Sequence, residues 1–440
     1  MKALLERTFE LRSRKSTVAA EVRGAVATFL SMAYILAVNA QILSAAGMPT
    51  SSVIACTALA AAVCSIAMGL WANFPVALAS GMGLNALIAG LTMGPAGMPW
   101  QTAMGLVVLD GVVITVLVLL GLREAVLRAI PHDLRLAIGA GIGLFIAFIG
   151  LVNAGVVARG PRYGPPVTYG ALAGPQATVA VAGLLVTTWL VARRVKGALI
   201  LGIVGSTALA AWMGIVQKPG DIGWPDLSVA FRADVVGALG LGWRVLLPLL
   251  LSLVMVDFFD TLGTVTGVAD EAGLADAGGN VPRLRKVLLV DSLSASVGGL
   301  LGCSSVTSYV ESAAGVAEGA RTGLHTVLVG IFFLAAMFAA PLLAVIPPAA
   351  TAPALVLVGF YMIGQFAKVD FEQSDTAIPA FITLITIPLT YSISHGIGYG
   401  FIAFVAIKLL SLRWRQVHPV MWITAAAFAA YLWHEGAAAK

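Results

Sequence analysis

The sequence predicts an all-α polytopic membrane protein whose fourteen transmembrane segments form two inverted sets of seven. Three observations predict it: a composition too apolar for water, a series of spanning-length apolar stretches divided by one polar connection, and a lopsided distribution of basic residues. Of 440 residues, 59% are hydrophobic and 11% charged, and the mean hydropathy is +0.96. A water-soluble chain of this size needs a mostly polar exterior, so this composition belongs in a bilayer. The net charge of +5 reflects topology and not nucleic-acid binding, because no basic helix with interleaved aromatics stands outside the apolar stretches.

Residues 1–21 (MKALLERTFELRSRKSTVAAE) are charged throughout and hold no apolar run of signal-peptide type, which predicts an interfacial segment on the cytoplasmic face. A span needs roughly 17–25 apolar residues, fewer where the helix is broken. The first set reads Val22–Ser44, Ser52–Trp71, Phe74–Thr92, Thr102–Leu120, Leu134–Val152, Ala177–Ala192 and Ala198–Val216. A polar extracytoplasmic connection, 217–242, divides the chain near its middle. The second set reads Trp243–Val268, Val287–Leu301, Cys303–Val316, Thr322–Ile346, Pro353–Phe366, Ala377–Ser392 and His395–Leu410. The tail, 412–440, carries one more apolar piece, Pro419–Trp433, which either spans or lies in the interface.

With a cytoplasmic N-terminus, the basic clusters LRSRK, REAVLRAIPHDLR, RRVK, RLRK and KLLSLRWR all fall inside. Of 26 Lys and Arg residues only Arg159, Arg162, Lys218, Arg232 and Arg244 fall outside, with Lys440 inside if Pro419–Trp433 does not cross. That asymmetry sets the orientation. An odd number of crossings in each half forces the second half to enter in the opposite sense, the plan of many secondary transporters. The third segment of each half is also abnormal: NFPVALASGMGLNALIAG in one, and the short, hydroxyl-rich GCSSVTSYVESAAG in the other. Matched interrupted segments point to a midplane binding site, and irregular backbone at that depth must be buried in protein or line a cavity.

Three carboxylates stand where lipid is expected: Asp257 and Asp260 in SLVMVDFFDTLGTVTGV, and Glu311 in CSSVTSYVESAAGV. Each costs at least ~2.5–3.5 kcal/mol at membrane depth, so each needs a partner, a proton or a substrate. Asp257 and Asp260 share a helix face. An ion pair near the surface would also place them so, but the apolar Leu246–Val256 before them and the lack of nearby Lys or Arg weigh against it. Glu311 follows Thr307, Ser308 and Tyr309, where an extended stretch turns into a half-helix. The free N–H groups there suit a polar ligand edge, and a capping glutamate would occupy the same place.

Asn85 in GMGLNA is either a cap for freed backbone groups or a ligand contact. Thr261, Thr264, Ser305 and Ser308 bond helix backbone or line the cavity. Asp110 and Asp291, without a broken segment beside them, are expected to make structural hydrogen bonds between helices. His395 is expected to be interfacial. Cys56, Cys64 and Cys303 cannot form a disulfide framework and are expected to be small packing residues. Enzyme motifs such as HExxH, GxSxG, a P-loop or GxGD are absent from the sequence. A channel would commonly repeat one filter, whereas these two broken segments differ in chemistry. Uphill movement would then draw on an ion gradient.

The motifs TFLSMAYILAVNAQILSAAGM, GMGLNA, AIGAGIGLFIAFIGLVNAG, FFDTLGTVTGVADEAGL, SYVESAAGVAEGARTGLHTV and IPPAATAPALVLVGFYM, in this order from about Leu5 to Arg415, resemble the AzgA-like purine permeases. These are a branch of the nucleobase–cation symporter (nucleobase/ascorbate transporter) family. The resemblance implies the uracil-permease fold, with short extended stretches in segments 3 and 10. It further implies a core domain of segments 1–4 and 8–11 (22–120 and 243–346) that moves in elevator fashion. The partner of that motion would be a gate domain of segments 5–7 and 12–14 (121–216 and 347–411). Purine bases (adenine, guanine or hypoxanthine) would enter by proton symport, without a cofactor, with sodium as the alternative coupling ion. A homodimer in the inner (plasma) membrane is expected.

By the same resemblance, Asp257 and Glu311 hold the base, Asn85 is the segment 3 asparagine, and Asp260 matches a second acidic position. The residues expected at the base are thus Asp257, Glu311, Asn85 and Ser308, and those expected to exchange the proton are Asp260, Asp257 and Glu311. One departure is Ser80, where many members have Pro. The chemistry fits independently: an ionised carboxylate accepts two N–H bonds from a purine edge, and a protonated one donates to a ring nitrogen while accepting beside it. The alternatives are a uracil or xanthine permease of the same fold, or an anion exchanger or channel on this scaffold, which Glu311 disfavours.

Overall fold

Lipid offers the backbone no hydrogen-bond partner, so apolar runs of spanning length close their bonds internally as helices. A computed structural model describes residues 2–93, 97–121, 130–160, 167–195, 197–216, 224–274 and 281–438. Segment 1 comprises helices Val18–Met32 and Ile35–Ala45; segment 2 is Thr50–Ala67, widening into a π-helical turn at Met68–Ala72. Segment 3 is strand β1 (Leu78–Ser80) followed by helix Met82–Met93. Segments 4 to 7 are Trp100–Leu119, His132–Asn153, Pro175–Ala192 and Ala198–Trp212, with a hairpin of β2 (Val157–Arg159) and β3 (Val167–Tyr169) after segment 5. Segments 8 and 9 are Trp243–Glu271 and Leu284–Leu301, and segment 10 is strand β4 (Val306–Ser308) plus the short helix Ser312–Ala317. Segment 11 is Gly323–Met337 with Ala340–Leu343, segment 12 is Pro348–Ile363, and segments 13 and 14 are Ser374–Leu389 and Ile393–Leu410.

Among the described residues, 7 helices (segments 1, 2, 4, 5, 6, 12 and 14) are long and apolar enough to cross a bilayer unaided. The chain is a multi-pass membrane protein.

The inverted repeat is written in the packing. Segment 2 lies along segment 11 and segment 9 along segment 4; segment 6 packs on 7 and 12, as 13 packs on 14 and 5. Segments 5 and 12 pack on each other, as do the strands of 3 and 10. Exchanging every segment with its counterpart in the other half maps each of these contacts onto another or onto itself. Small residues let the partners meet: a Cβ on Gly359 of segment 12 would strike the Gly143 carbonyl of segment 5.

Several boundaries differ from expectation: segment 12 begins at Pro348 instead of Pro353, and segment 7 ends at Trp212 instead of Val216. Segment 1 begins at Val18, because the Thr17 side chain caps it by accepting from the Ala20 N–H. This draws Glu21 into the first turn, where it is fully buried. Its carboxylate accepts from Ser16 Oγ (2.5 Å) and from the Arg321 and His325 N–H groups (2.9 and 3.0 Å), closing the start of segment 11. The C-terminal apolar piece is the helix Pro419–Ala438, docked on segments 14 and 8 with Met421 and Phe428 buried. All three cysteines are free and buried. Of the charges used to orient the chain, Arg123, Arg128, Arg162, Lys196, Lys218 and Lys440 lie outside the described residues, as does 217–223 of the connection.

Candidate functional site

The two interrupted segments cross where their extended stretches pair. β1 and β4 are antiparallel, with Leu78 opposite Ser308, Ala79 opposite Thr307 and Ser80 opposite Val306. Among the described residues each strand has one such neighbour, so the remaining backbone groups need side-chain partners. The Ser65 hydroxyl accepts from the Leu78 N–H and donates to its carbonyl (2.9 and 3.0 Å). Ser312 Oγ accepts from the Ala77 N–H (3.0 Å), and the Tyr309 hydroxyl donates to the Ser80 carbonyl (2.5 Å). Asn39 of segment 1 donates to the Cys303 carbonyl (3.2 Å). Side chains of segments 1, 2 and 10 thus supply the bonds that the unwound backbone lacks.

The segment 3 half-helix begins at Met82, directly after its strand, and the segment 10 half-helix at Ser312, where the Ser312, Ala313 and Ala314 N–H groups donate to the Tyr309, Val310 and Glu311 carbonyls. Glu311 stands at the start of the second. Its Oε1 accepts from the Tyr34 hydroxyl at 2.6 Å, and Tyr34 itself sits at the break in segment 1. Asp260 on segment 8 is exposed although it lies in the middle of a spanning helix, and it is in electrostatic range of Glu311 and Asp291. It therefore borders open space inside the protein. Asp257, about one turn before it, is buried. The structure thus brings Glu311 and Asp260 together at the strand crossing, with Asp257 on the same helix as Asp260.

Asn85 is buried in the first turn of the segment 3 half-helix. Its Oδ1 lies 2.8 Å from Ser80 Oγ, which is also 2.5 Å from the Cys303 carbonyl. One hydroxyl hydrogen cannot serve both acceptors. The amide Nδ2 has no partner among the described residues. Turning the amide over lets Nδ2 donate to Ser80 while Ser80 donates to Cys303. Ser80, the departure from the family pattern, therefore orients the residue expected to meet the ligand.

Ser308 departs from expectation. Its N–H and hydroxyl both donate to Asp291 Oδ1 (3.0 and 2.8 Å), so it faces segment 9 and not the base site. Asp291 also accepts from Thr261 Oγ1 (2.5 Å), whose hydroxyl lies 3.1 Å from Thr307 Oγ1. Asp291 thus makes the inter-helix bonds expected of it, tying segments 8, 9 and 10. Asp110 does not: neither carboxylate oxygen has a hydrogen-bond partner among the described residues. His395 Nδ1 lies 2.7 Å from Ser392 Oγ, at the start of segment 14.

Tyr34 was not among the expected site residues. A lone phenol inside the apolar run TFLSMAYILAV, where a buried hydroxyl needs a partner, is the signal that could have found it. A hydrogen bond to a charged group is worth about 1.5–3 kcal/mol, so Tyr34→Phe should weaken apparent substrate affinity roughly 10- to 100-fold. Uptake kinetics showing an unchanged KM would remove Tyr34 from the site.

Two inverted sets of seven segments, crossing at broken helices with ionisable side chains at the crossing, define a membrane transporter. The chain matches the family model Xan_ur_permease, described as "Permease family", over residues 19–398, and it belongs to that family. It is a permease and not an enzyme. It is 40% identical over 427 residues to the adenine permease AdeP of Escherichia coli (strain K12), covering 97% of this chain and 95% of AdeP. It is 39% identical over 413 residues to the guanine/hypoxanthine permease PbuG of Bacillus subtilis (strain 168), covering 91% and 93%. Among solved structures, the transmembrane domain of the cyanobacterial bicarbonate transporter BicA superposes with a TM-score of 0.65 at 16% identity, covering 87% of this chain and 96% of that one. That last likeness concerns the fold alone.

Proposed function

We propose that the protein imports purine nucleobases by proton symport. The observation that carries this reading is the meeting of Glu311, hydrogen-bonded by Tyr34, with Asp260 at the paired strands of segments 3 and 10. A carboxyl there presents both a hydrogen-bond acceptor pair for purine N–H groups and a site for a proton. Relatives that carry adenine or guanine/hypoxanthine in their names support the substrate class. Asp257 and Asn85 complete the base site. No cofactor is required, because the gradient supplies the energy.

In this reading segments 1–4 and 8–11 carry the base past segments 5–7 and 12–14. The dense contacts of segments 5, 6, 7, 12, 13 and 14 among themselves are consistent with a second body. The protein works as a homodimer in the inner membrane, with its N-terminus in the cytoplasm.

Protein in proteoliposomes, tested against adenine, guanine, hypoxanthine, xanthine and uracil at two pH values, checks this. Unlabelled purines should displace labelled adenine, and binding should tighten at the lower pH, because a coupled proton and base each favour the other. Equal displacement by uracil and xanthine would move the substrate class, and an anion current independent of any nucleobase would overturn the reading.

A further inference from the structure

Asp110 lies halfway along segment 4 at 0% exposure, and neither of its carboxylate oxygens meets a donor among the described residues. A buried carboxylate without donors neutralises instead of remaining an anion. The group therefore holds a proton. Its electrostatic neighbour is Asp291 on segment 9. The two helices are pressed together beside this pair, because a Cβ on Gly111 would run into Ser296 and the Ser292 carbonyl.

Asp291 is in the opposite situation. The Ser308 N–H, the Ser308 hydroxyl and the Thr261 hydroxyl all donate to it, an arrangement suited to an ionised carboxylate. Asp291 is in turn within electrostatic range of Asp260, and Asp260 of Glu311. A row of carboxylates thus runs from the strand crossing, across segment 8, to the interface of segments 9 and 4. Segment 4 also packs on segment 8, on the segment 3 half-helix and on the short helix Val235–Leu239. Segment 8 contributes Asp257 and Asp260, the half-helix carries no titratable group, and the Asp234 carbonyl stands against Gly105, toward one end of the contact.

We propose that the Asp110–Asp291 pair is a proton-binding site separate from the base site, where the coupling proton rests while the base sits at Glu311. The proposal rests on the proton-symport reading and adds the location of the proton. Uptake of the proton forms one O–H bond on the pair and its release to water breaks it; β4 stays anchored throughout, because a protonated Asp291 would still accept from Ser308 while donating to Thr261.

The test uses proteoliposomes with the membrane potential clamped to zero, one pH unit more acidic outside, and radiolabelled adenine. Wild-type protein should accumulate adenine about tenfold for one proton per base. Asp110→Asn should keep adenine counterflow within about twofold of wild type, because the base site is untouched, but should accumulate adenine no further than equal concentrations. If the amide prevents insertion, Asp110→Leu, branched at the same carbon and without a polar atom, is measured with the same expectation. Tenfold accumulation by either variant overturns the proposal. Absence of accumulation by the wild type overturns the symport reading itself.

Discussion

Glu311→Gln should abolish adenine uptake, with a loss of roughly 30- to 1,000-fold, while leaving membrane expression and melting behaviour near wild type. Glutamine keeps the length and shape of the side chain, and its carbonyl still accepts from Tyr34, so the contact at 2.6 Å survives. What disappears is chemistry. The amide cannot present two acceptor oxygens to a pair of purine N–H groups, and it cannot take up a proton in this range of pH. Asp257→Asn should behave alike. Glu311→Asp separates geometry from charge: the carboxylate remains but withdraws by one methylene from Tyr34, so KM should rise while residual turnover persists. Wild-type-like uptake in both amide variants would remove these carboxylates from the site.

The sequence and the structure agree most closely where lipid is the arbiter. The sevenfold division, the inversion and the two broken segments were legible because hydropathy and backbone satisfaction are local properties in a membrane. Even the pairing of β1 with β4 is foreshadowed by Ser and Thr crowding in segment 10. Side-chain partners were less legible. Tyr34 and Glu311 are separated by 277 positions, and nothing near either residue names the other. Asp110 and Asp291 look alike in sequence, each an acid in an apolar helix, yet one is fully bonded and the other has no donor. That difference comes from which face of segment 9 meets β4.

Ser308 shows the same limit at finer scale. Its hydroxyl donates to Asp291, and that of the adjacent Thr307 reaches the same network through Thr261. Composition does not reveal that destination. Glu21 is a third case, a charge in an interfacial stretch that becomes the acceptor for another segment's first turn.

Asp291→Ala should be the most destabilising of these substitutions, whereas Asp291→Asn should fold nearly as wild type. Removing the carboxylate strands the Ser308 N–H and hydroxyl in a buried setting. Thr261 loses less, since its hydroxyl can turn to Thr307 at 3.1 Å. Each stranded donor costs about 1–3 kcal/mol, so the two together lower the melting midpoint in detergent by roughly 2–6 °C. Asparagine can rebuild the network: its carbonyl accepts from Ser308, its amide donates to Thr261, and Thr261 donates to Thr307. Anchoring β4 therefore needs an acceptor of the right shape, while holding the coupling proton needs a carboxylate. Asp291→Asn should consequently separate the two, giving a stable protein that exchanges adenine but does not concentrate it. If Asp291→Asn proves as unstable as Asp291→Ala, the strand is held by the negative charge itself. The position of β4 would then depend directly on how many protons the pair carries.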